Sequence, residues 1–381
     1  MAAIRTTHTG SLHRPVELES QVVAREMAHG EGPTDALIRA AVTEIVQRQV
    51  DLGISVLNDG EVSKSQYATY VKNRLTGFEQ LDRPPNRSGR DLAEHPDFVQ
   101  VMDRIRGSQP MPSPTCTGPI SVRDETAVHT DIANLLTAAE AAGIGTDRLF
   151  MSAASPGVIS HFIENRHYSD RESYLAALVD AMRHEYKAIV DAGILLQLDC
   201  PDFAMSYNNV FQDLSVDEFR REVSLGVAAI NAAIEGLPPE MVRVHLCWGN
   251  TEAPHTHDIA LRDIIDIVLQ CHVAGISIEA SNPRHAHEWQ VFKDVKLPDD
   301  RYLIPGVIDS TTNFVEHPEA VAQRIGNYVD LLGPDRVVAG TDCGFGTSVG
   351  RDRVVRSVAW AKLEALVEGA RLASAHAGQA H

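Results

Sequence analysis

The sequence has no run of basic residues, no long apolar stretch and few cysteines, and each absence removes a class of function. Lys and Arg number 34 against 52 Asp and Glu, a net charge of −18 with histidine neutral. A chain of that sign without a cationic stripe repels polyanions, which excludes nucleic acid as a main partner. No stretch approaches the ~18 uninterrupted apolar residues of a membrane-spanning helix, so no membrane partner is expected. The opening MAAIRTTHTGSLHRP lacks the apolar core of a secretory signal. Five widely spaced cysteines, an odd number, do not make a disulfide framework. The expected compartment is a reducing cytoplasm. A Gly-rich dinucleotide fingerprint, an internal repeat and a low-complexity tract are missing too, which leaves an ordinary globular composition.

What is there is alternation. Short apolar runs at Ile4–Ser11, Ile54–Asp59, Leu149–Ala154, Ile194–Asp199, Val242–Cys247, Gly275–Ala280, Tyr302–Ile308 and Val337–Thr341 read as strands. Several are apolar without a break, as strands covered on both faces are. Helical spacing appears between them, over Asp170–Asp191, Val216–Ile234, His257–Ala274, Pro318–Leu332 and Val354–Ala373. The pattern predicts an α/β fold, a (β/α)8 TIM barrel forming a single domain over 1–381, with a doubly wound open sheet as the alternative. A long insertion lies between the second and third strands, about 61–148. It contains the basic, Pro/Gly-rich Arg83–Arg90, expected as an exposed excursion near the barrel mouth. The tail, Ala375–His381, is expected to fray.

Polar residues cluster where these strands end, and in a parallel barrel those ends converge on one mouth. His245 and Cys247 close the fifth candidate two residues apart, so both side chains face one way. Glu279 interrupts the sixth, and Cys343 follows the eighth. One imidazole, two thiols and a carboxylate suit a tetrahedral zinc ion. Against this, a lone buried cysteine is usually a small core hydrophobe. Cys200 is the alternative ligand, and Cys271, inside a helical pattern, is expected to be structural. Glu61, Asp199 and Asp309 each end an apolar strand, either capping the next loop or serving the site. Two histidine doublets, His255/His257 and His285/His287, are either a second metal site or mouth-loop groups that orient substrate and carry protons.

In order and position these residues resemble the cobalamin-independent methionine synthases, specifically their C-terminal catalytic barrel and its single-barrel relatives. The matching elements are Thr9-Gly10-Ser11, Asp59-Gly60-Glu61, Leu196-Gln197-Leu198-Asp199, His245-Leu246-Cys247, Ser277-Ile278-Glu279, Gly306-Val307-Ile308-Asp309 and Asp342-Cys343-Gly344. The resemblance implies zinc (Zn2+) held by His245, Cys247, Glu279 and Cys343. It also implies that Ser11, Glu61 and Asp199 hold the amino-acid part of a homocysteine-like thiol. The separate N-terminal barrel of full-length plant and bacterial methionine synthases is expected to be absent. The partners implied are a small thiol and a small alkyl or methyl donor, with a homo-oligomer left open.

The chemistry agrees with that resemblance. A free alkyl thiol has a pKa of ~8.5, and zinc removes the proton to leave a usable nucleophile. Glu279, the hardest ligand, is the one expected to loosen as sulfur arrives. Two departures bear on the donor. Asp309 is followed by Ser310 and Thr311, where the family has a histidine that handles the proton of the folate leaving group. The family's pterin-stacking tryptophan follows a Thr-Gly-Pro. Here Thr117-Gly118-Pro119 lies in the long excursion, and Phe162 is a substitute only if Ser155-Pro156-Gly157 is the true counterpart.

Three readings follow: methyl transfer to homocysteine or a related thiol, epoxide opening of the epoxyalkane:coenzyme M transferase kind, and a non-catalytic zinc-binding barrel. Asp309, His255 and His257 are the candidate proton-handling groups. Two facing carboxylates, Glu61 and Asp199, favour an ammonium on the thiol. A sulfonate would need Arg14, Arg284 or a histidine.

Overall fold

The structure is a computed structural model and describes residues 3–26, 32–81, 89–106 and 114–378. Ten strands are present among them: β1 Arg5–Thr6, β2 Phe78–Gln80, β3 Pro114–Cys116, β4 Phe150–Ala154, β5 Glu164–Asn165, β6 Leu195–Asp199, β7 Val242–Leu246, β8 Gly275–Glu279, β9 Tyr302–Ile308 and β10 Val338–Thr341. Seven form a parallel sheet in the order β1-β10-β9-β8-β7-β6-β4, and β2-β3-β5 make a small separate sheet. The α/β class and seven of the eight expected strands are therefore found. The seven are almost wholly buried, because long helices cover the outer face.

The second expected strand is reduced to a bridge. Ser55 and Val56 donate to Thr6 O at 3.1 and 2.9 Å, and Leu57 pairs with Leu149 in parallel, so this segment lies between β1 and β4. Beyond Leu57 the ladder stops because side chains take over its backbone groups. Asn58 N donates to Gln49 Oε1 (3.1 Å), Asn58 Oδ1 accepts from Gly60 N (2.8 Å), and Asp59 Oδ1 accepts from Glu61 N (2.9 Å). The first strand is shortened for a similar reason. Thr9 and Thr341 bond through their hydroxyls, with Thr9 Oγ1 donating to Thr341 O at 2.8 Å.

Helix limits follow the caps. Asp170 accepts from Ser173 N at 2.8 Å to open Arg171–Asp191, and Ser215 with Glu218 forms a reciprocal capping box at the start of Val216–Ala233. Pro318–Leu332 and Arg356–Ala377 complete the long helices of the second half. The last of these runs into the segment expected to fray; residues 379–381 lie outside the described residues.

Two expectations are corrected. His257–Ala274 is not one helix but a 3-10 turn at Leu261–Asp263 and a four-residue helix at Ile265–Val268. Its apolar residues are buried at helical spacing, yet neighbours hold its backbone: Leu261 N donates to Glu288 Oε1 (2.7 Å), Asp263 O accepts from Arg220, and His272 N donates to Asn231 Oδ1 (2.8 Å). The excursion is also shorter than 61–148. Thr126–Ala141 is a covering helix that packs on Asp35–Leu52, so the alternation has resumed by Thr126. Most of the basic stretch, 82–88, lies outside the described residues.

Parallel register brings the site together. Asp199 stands opposite His245, and His245 opposite Ser277. Glu279 stands opposite Gly306, where a Cβ would overlap the backbone of Asp342. That missing side chain, with the register shift at Gly340/Thr341, lets β10 swing Asp342 and Cys343 inward.

Candidate metal and thiol site

His245, Cys247 and Cys343 are buried, and one ligand atom from each lies within 4.8 Å of the others. His245 Nδ1 is bonded to Ser277 Oγ at 3.1 Å, which leaves Nε2 facing Cys343 Sγ at 3.9 Å. A ring nitrogen held by an outer partner, with its other nitrogen aimed at two sulfurs, is the arrangement a metal ligand needs. Glu279 stands at the edge of the group, its Oε1 3.6 Å from Cys343 Sγ. Trp248 N donates to that oxygen (3.2 Å) and Asn282 Nδ2 to the other (3.1 Å).

The electrostatics of the cluster suit a bound cation. Burial, then the Cys247 sulfur, pushes the Glu279 carboxyl up to about 8. A hydrogen bond with Cys247, then burial, pushes the Cys343 thiol well above its usual range. Burial takes His245 down to about 4, which leaves it a neutral donor. Three potential anions and a neutral imidazole in one dry place are costly unless a cation joins them. Cys200, the alternative ligand, turns its Sγ to Leu198 O at 3.3 Å and is not in the group. Cys271 is buried in the core, as expected.

A small cavity opens onto this cluster. His245, Cys247 and Cys343 of the cluster line it together with Ser11, Glu61 and Asp199. Gly10 makes room for Glu61, since a Cβ there would overlap Oε1, and Ser152 Oγ donates to the same oxygen at 2.6 Å. Burial, then the charge of Glu61, raises Asp199 to about 7. Gln197 Nε2 donates to Asp199 at 2.9 Å, and Gln197 Oε1 accepts from the buried Arg243 at 2.9 Å.

Other expected site residues lie elsewhere. Arg14 is buried with its guanidinium given to the carbonyls of Glu61, Val62, Lys64 and Gly346, so it fastens loops and does not line the cavity. Arg284 is exposed and donates to Thr256 O at 3.1 Å. Asp309 accepts from Thr311 N (3.0 Å), Thr311 Oγ1 (2.7 Å), Thr312 N (2.8 Å) and Thr312 Oγ1. Although burial opposes it, these bonds hold Asp309 below the usual carboxylate range, and the capping reading is the one its geometry fits. His257 turns outward to Glu94 at 2.8 Å. His255 is buried, with Nδ1 2.6 Å from Asp258 Oδ2.

Sequence reasoning passed over four residues that shape the site. Asn250 lines the cavity and links three loops, donating to Gly344 O (2.9 Å) and accepting from Ser310 Oγ (3.0 Å), whose oxygen accepts from Cys343 N (3.1 Å). Tyr67 lines the cavity with its ring edge-to-face on Phe162, centroids 5.6 Å apart. None of the three tryptophans does. Asp342 accepts from Ala280 N (2.8 Å), Ser281 N (2.9 Å) and Asn282 N (2.8 Å), locking the loop after Glu279 to the strand before Cys343. Arg243 is buried inside the sheet over Phe150, 4.0 Å from the ring centroid. The available signal was polar residues inside buried strands, as with Arg243 and Asp342. Tyr67 and Asn250 sit in loops and gave none.

Comparison with known proteins accords with this architecture. The profile of the family described as "Cobalamin-independent synthase, Catalytic domain" matches residues 4–370, and the chain belongs to that family. It is 25% identical over 373 residues to a methionine synthase of Saccharolobus solfataricus, covering 96% of this chain and 94% of that one. It is 24% identical over 407 residues to a 2-hydroxypropyl-CoM lyase of Xanthobacter autotrophicus, covering 99% and 96%. In fold it is similar to a B12-independent methionine synthase from Shewanella solved with selenomethionine, with a TM-score of 0.74, 21% identity, and 98% and 99% of the two chains covered. Among the described residues no helix is long and apolar enough to cross a membrane.

Proposed function

We propose that this chain is a zinc-dependent transferase that moves an alkyl group, methyl first among them, onto the sulfur of a small amino-thiol such as homocysteine. The observation that carries the reading is one cavity lined by two buried carboxylates, Glu61 and Asp199, as well as by His245, Cys247 and Cys343. Among the described residues no guanidinium or ammonium lines it, so an ammonium on the substrate is the natural partner for those carboxylates. We read the whole chain as one catalytic domain on a closed eight-stranded barrel, with residues 54–57 in the place of the second strand.

His245, Cys247, Cys343 and Glu279 would hold the zinc ion, with Glu279 the most easily released. A zinc ion held there would lower the pKa of an incoming thiol, so that its sulfur would be a nucleophile at neutral pH. Ser11, Glu61 and Asp199 orient the amino-acid end of the substrate. In the transfer the thiol proton is lost, a sulfur–carbon bond forms, and the bond from that carbon to its carrier breaks. The cavity wall excludes water and fixes the line of attack.

A second reading, epoxide opening by a sulfonated thiol, draws support from the similarity to a 2-hydroxypropyl-CoM lyase and from Ser310 and Thr311 after Asp309. The cavity lining counts against the sulfonate. In the third reading, a non-catalytic zinc-binding barrel, added thiols would not alter the metal spectrum. The deciding experiment offers the zinc-loaded protein homocysteine or coenzyme M, each with methyltetrahydrofolate, methylcobalamin or epoxypropane, and follows products by mass. Saturable alkylation of homocysteine is expected. Product from coenzyme M and epoxypropane alone would replace this reading with the second, and no product with any pair would favour the third.

A further inference from the structure

The histidine doublets are not used by the thiol site, and the fold splits each of them. His257 pairs with Glu94 and His287 is exposed, while His255 and His285 meet at Asp258, all three side chains nearly inaccessible. His255 Nδ1 donates to Asp258 Oδ2 at 2.6 Å and His285 Nε2 to the same oxygen at 2.9 Å. The far nitrogens also face acceptors: His255 Nε2 donates to Thr251 O (2.9 Å) and His285 Nδ1 to Glu288 Oε2 (2.9 Å). With an acceptor on each side, both rings carry two protons. The three groups sit within 4.8 Å of one another, which suits a metal as well. A metal there would have to displace two protons that already hold good hydrogen bonds, so the geometry is that of a filled network.

The network has a specific outlet. The His285 ring lies flat on the Trp248 indole, centroids 3.7 Å apart and 14° from parallel. Attraction between the ring charge and the indole face adds to dispersion in holding that stack. Trp248 Nε1 donates to Ile259 O at 2.6 Å and fixes the other edge of the indole. The Trp248 amide, next to Cys247, therefore has little freedom, and it donates to Glu279 Oε1 at 3.2 Å, the same oxygen that meets Cys343 Sγ.

We propose that His285 and Asp258 are positioning residues of the metal site: through the stack they fix the Trp248 amide, and that amide sets how firmly the Glu279 carboxylate is held at the cluster. This rests on reading His245, Cys247, Glu279 and Cys343 as a zinc site. In that setting the pair governs how readily Glu279 gives way to an arriving sulfur.

The test uses the full chain carrying Asp258→Asn or His285→Phe, the second filling the ring's place and chosen to fold. Each is loaded with cobalt for its visible spectrum, and with zinc for its rate of release to a chelator. Both variants are expected to keep one metal per chain, to shift the cobalt bands, and to release zinc faster by roughly 10–100-fold, the usual effect of removing an outer partner. Unchanged spectra and release rates in both would overturn the proposal. So would a second metal equivalent present in the unsubstituted protein and lost in these variants, because the cluster would then be a metal site itself. Cys343→Ser runs alongside. If it keeps its metal in full, the zinc-site reading fails on its own account.

Discussion

Asp199 and His245 stand opposite each other in register on adjacent parallel strands, so the carboxylate that ends one and the imidazole of the next open into one cavity. The groups proposed for thiol recognition and for metal binding thereby stand a single strand spacing apart, and substitutions at the two kinds of residue should separate the two roles.

At the metal end, one zinc per chain is expected after gel filtration. Cys247→Ser and Cys343→Ser should each lose most of it, because a hydroxyl is a poor replacement for a thiolate ligand. Elemental analysis measures this directly, and full retention in both variants would remove these cysteines from the ligand set.

At the thiol end, Glu61→Gln and Asp199→Asn should retain metal but weaken homocysteine binding by roughly 10–100-fold each, the loss of about 1.5–3 kcal/mol expected for a charged hydrogen bond. Coenzyme M should bind poorly to the unsubstituted protein. Calorimetry with the two thiols side by side decides it, and tight binding of coenzyme M alone would defeat the amino-acid pocket.

Asp309→Ala should act on stability and not on binding. The carboxylate caps the turn at Thr311 and Thr312 and lies 3.9 Å from the buried Lys362 Nζ. Its removal should cost about 1–2 kcal/mol in denaturant unfolding, with homocysteine affinity unchanged. A loss of affinity at full stability would return Asp309 to the site.

Stability should also fall at alkaline pH. For His255 and His285 burial opposes charge, but the bonds to Asp258, and to Glu288 for His285, outweigh it and raise both to about 9. A folded value above the ordinary 6.5 means the stabilisation is complete below pH 6.5 and is lost as pH rises through 9. The melting temperature should drop between pH 6.5 and 9.5, and a His255→Phe, His285→Phe double variant should show a smaller drop over that window. An equal drop in both proteins would place the alkaline transition elsewhere.

The candidate His/Cys cluster and most of the sheet were legible in the sequence because strand burial and strand-end chemistry are local signals. A β-rich run such as Gly275–Ile278 that is followed by Glu279 marks both a covered strand and its candidate functional end. Parallel connectivity then sends all such ends to one mouth. The same locality explains the long helices, whose caps at Asp170 and Ser215 lie within a turn of their first residues.

What only the tertiary structure decided is which partner each polar group takes. Asp199 and Asp309 both end apolar strands, yet one lines the cavity and the other is consumed by two threonines. Arg14 reads as a free cation until its donors are counted against the carbonyls of two distant loops. His255 and His257 differ by two positions, but one is buried against Asp258 and the other reaches Glu94. Hydrogen-bond partners far apart in the chain are chosen by packing, and no spacing in the sequence records that choice. The sequence by itself determined the alternation and the candidate ligand types. The fold decided which carboxylates face the cavity, which cations are already spent, and that a stacked Trp248 and His285 stand behind Glu279.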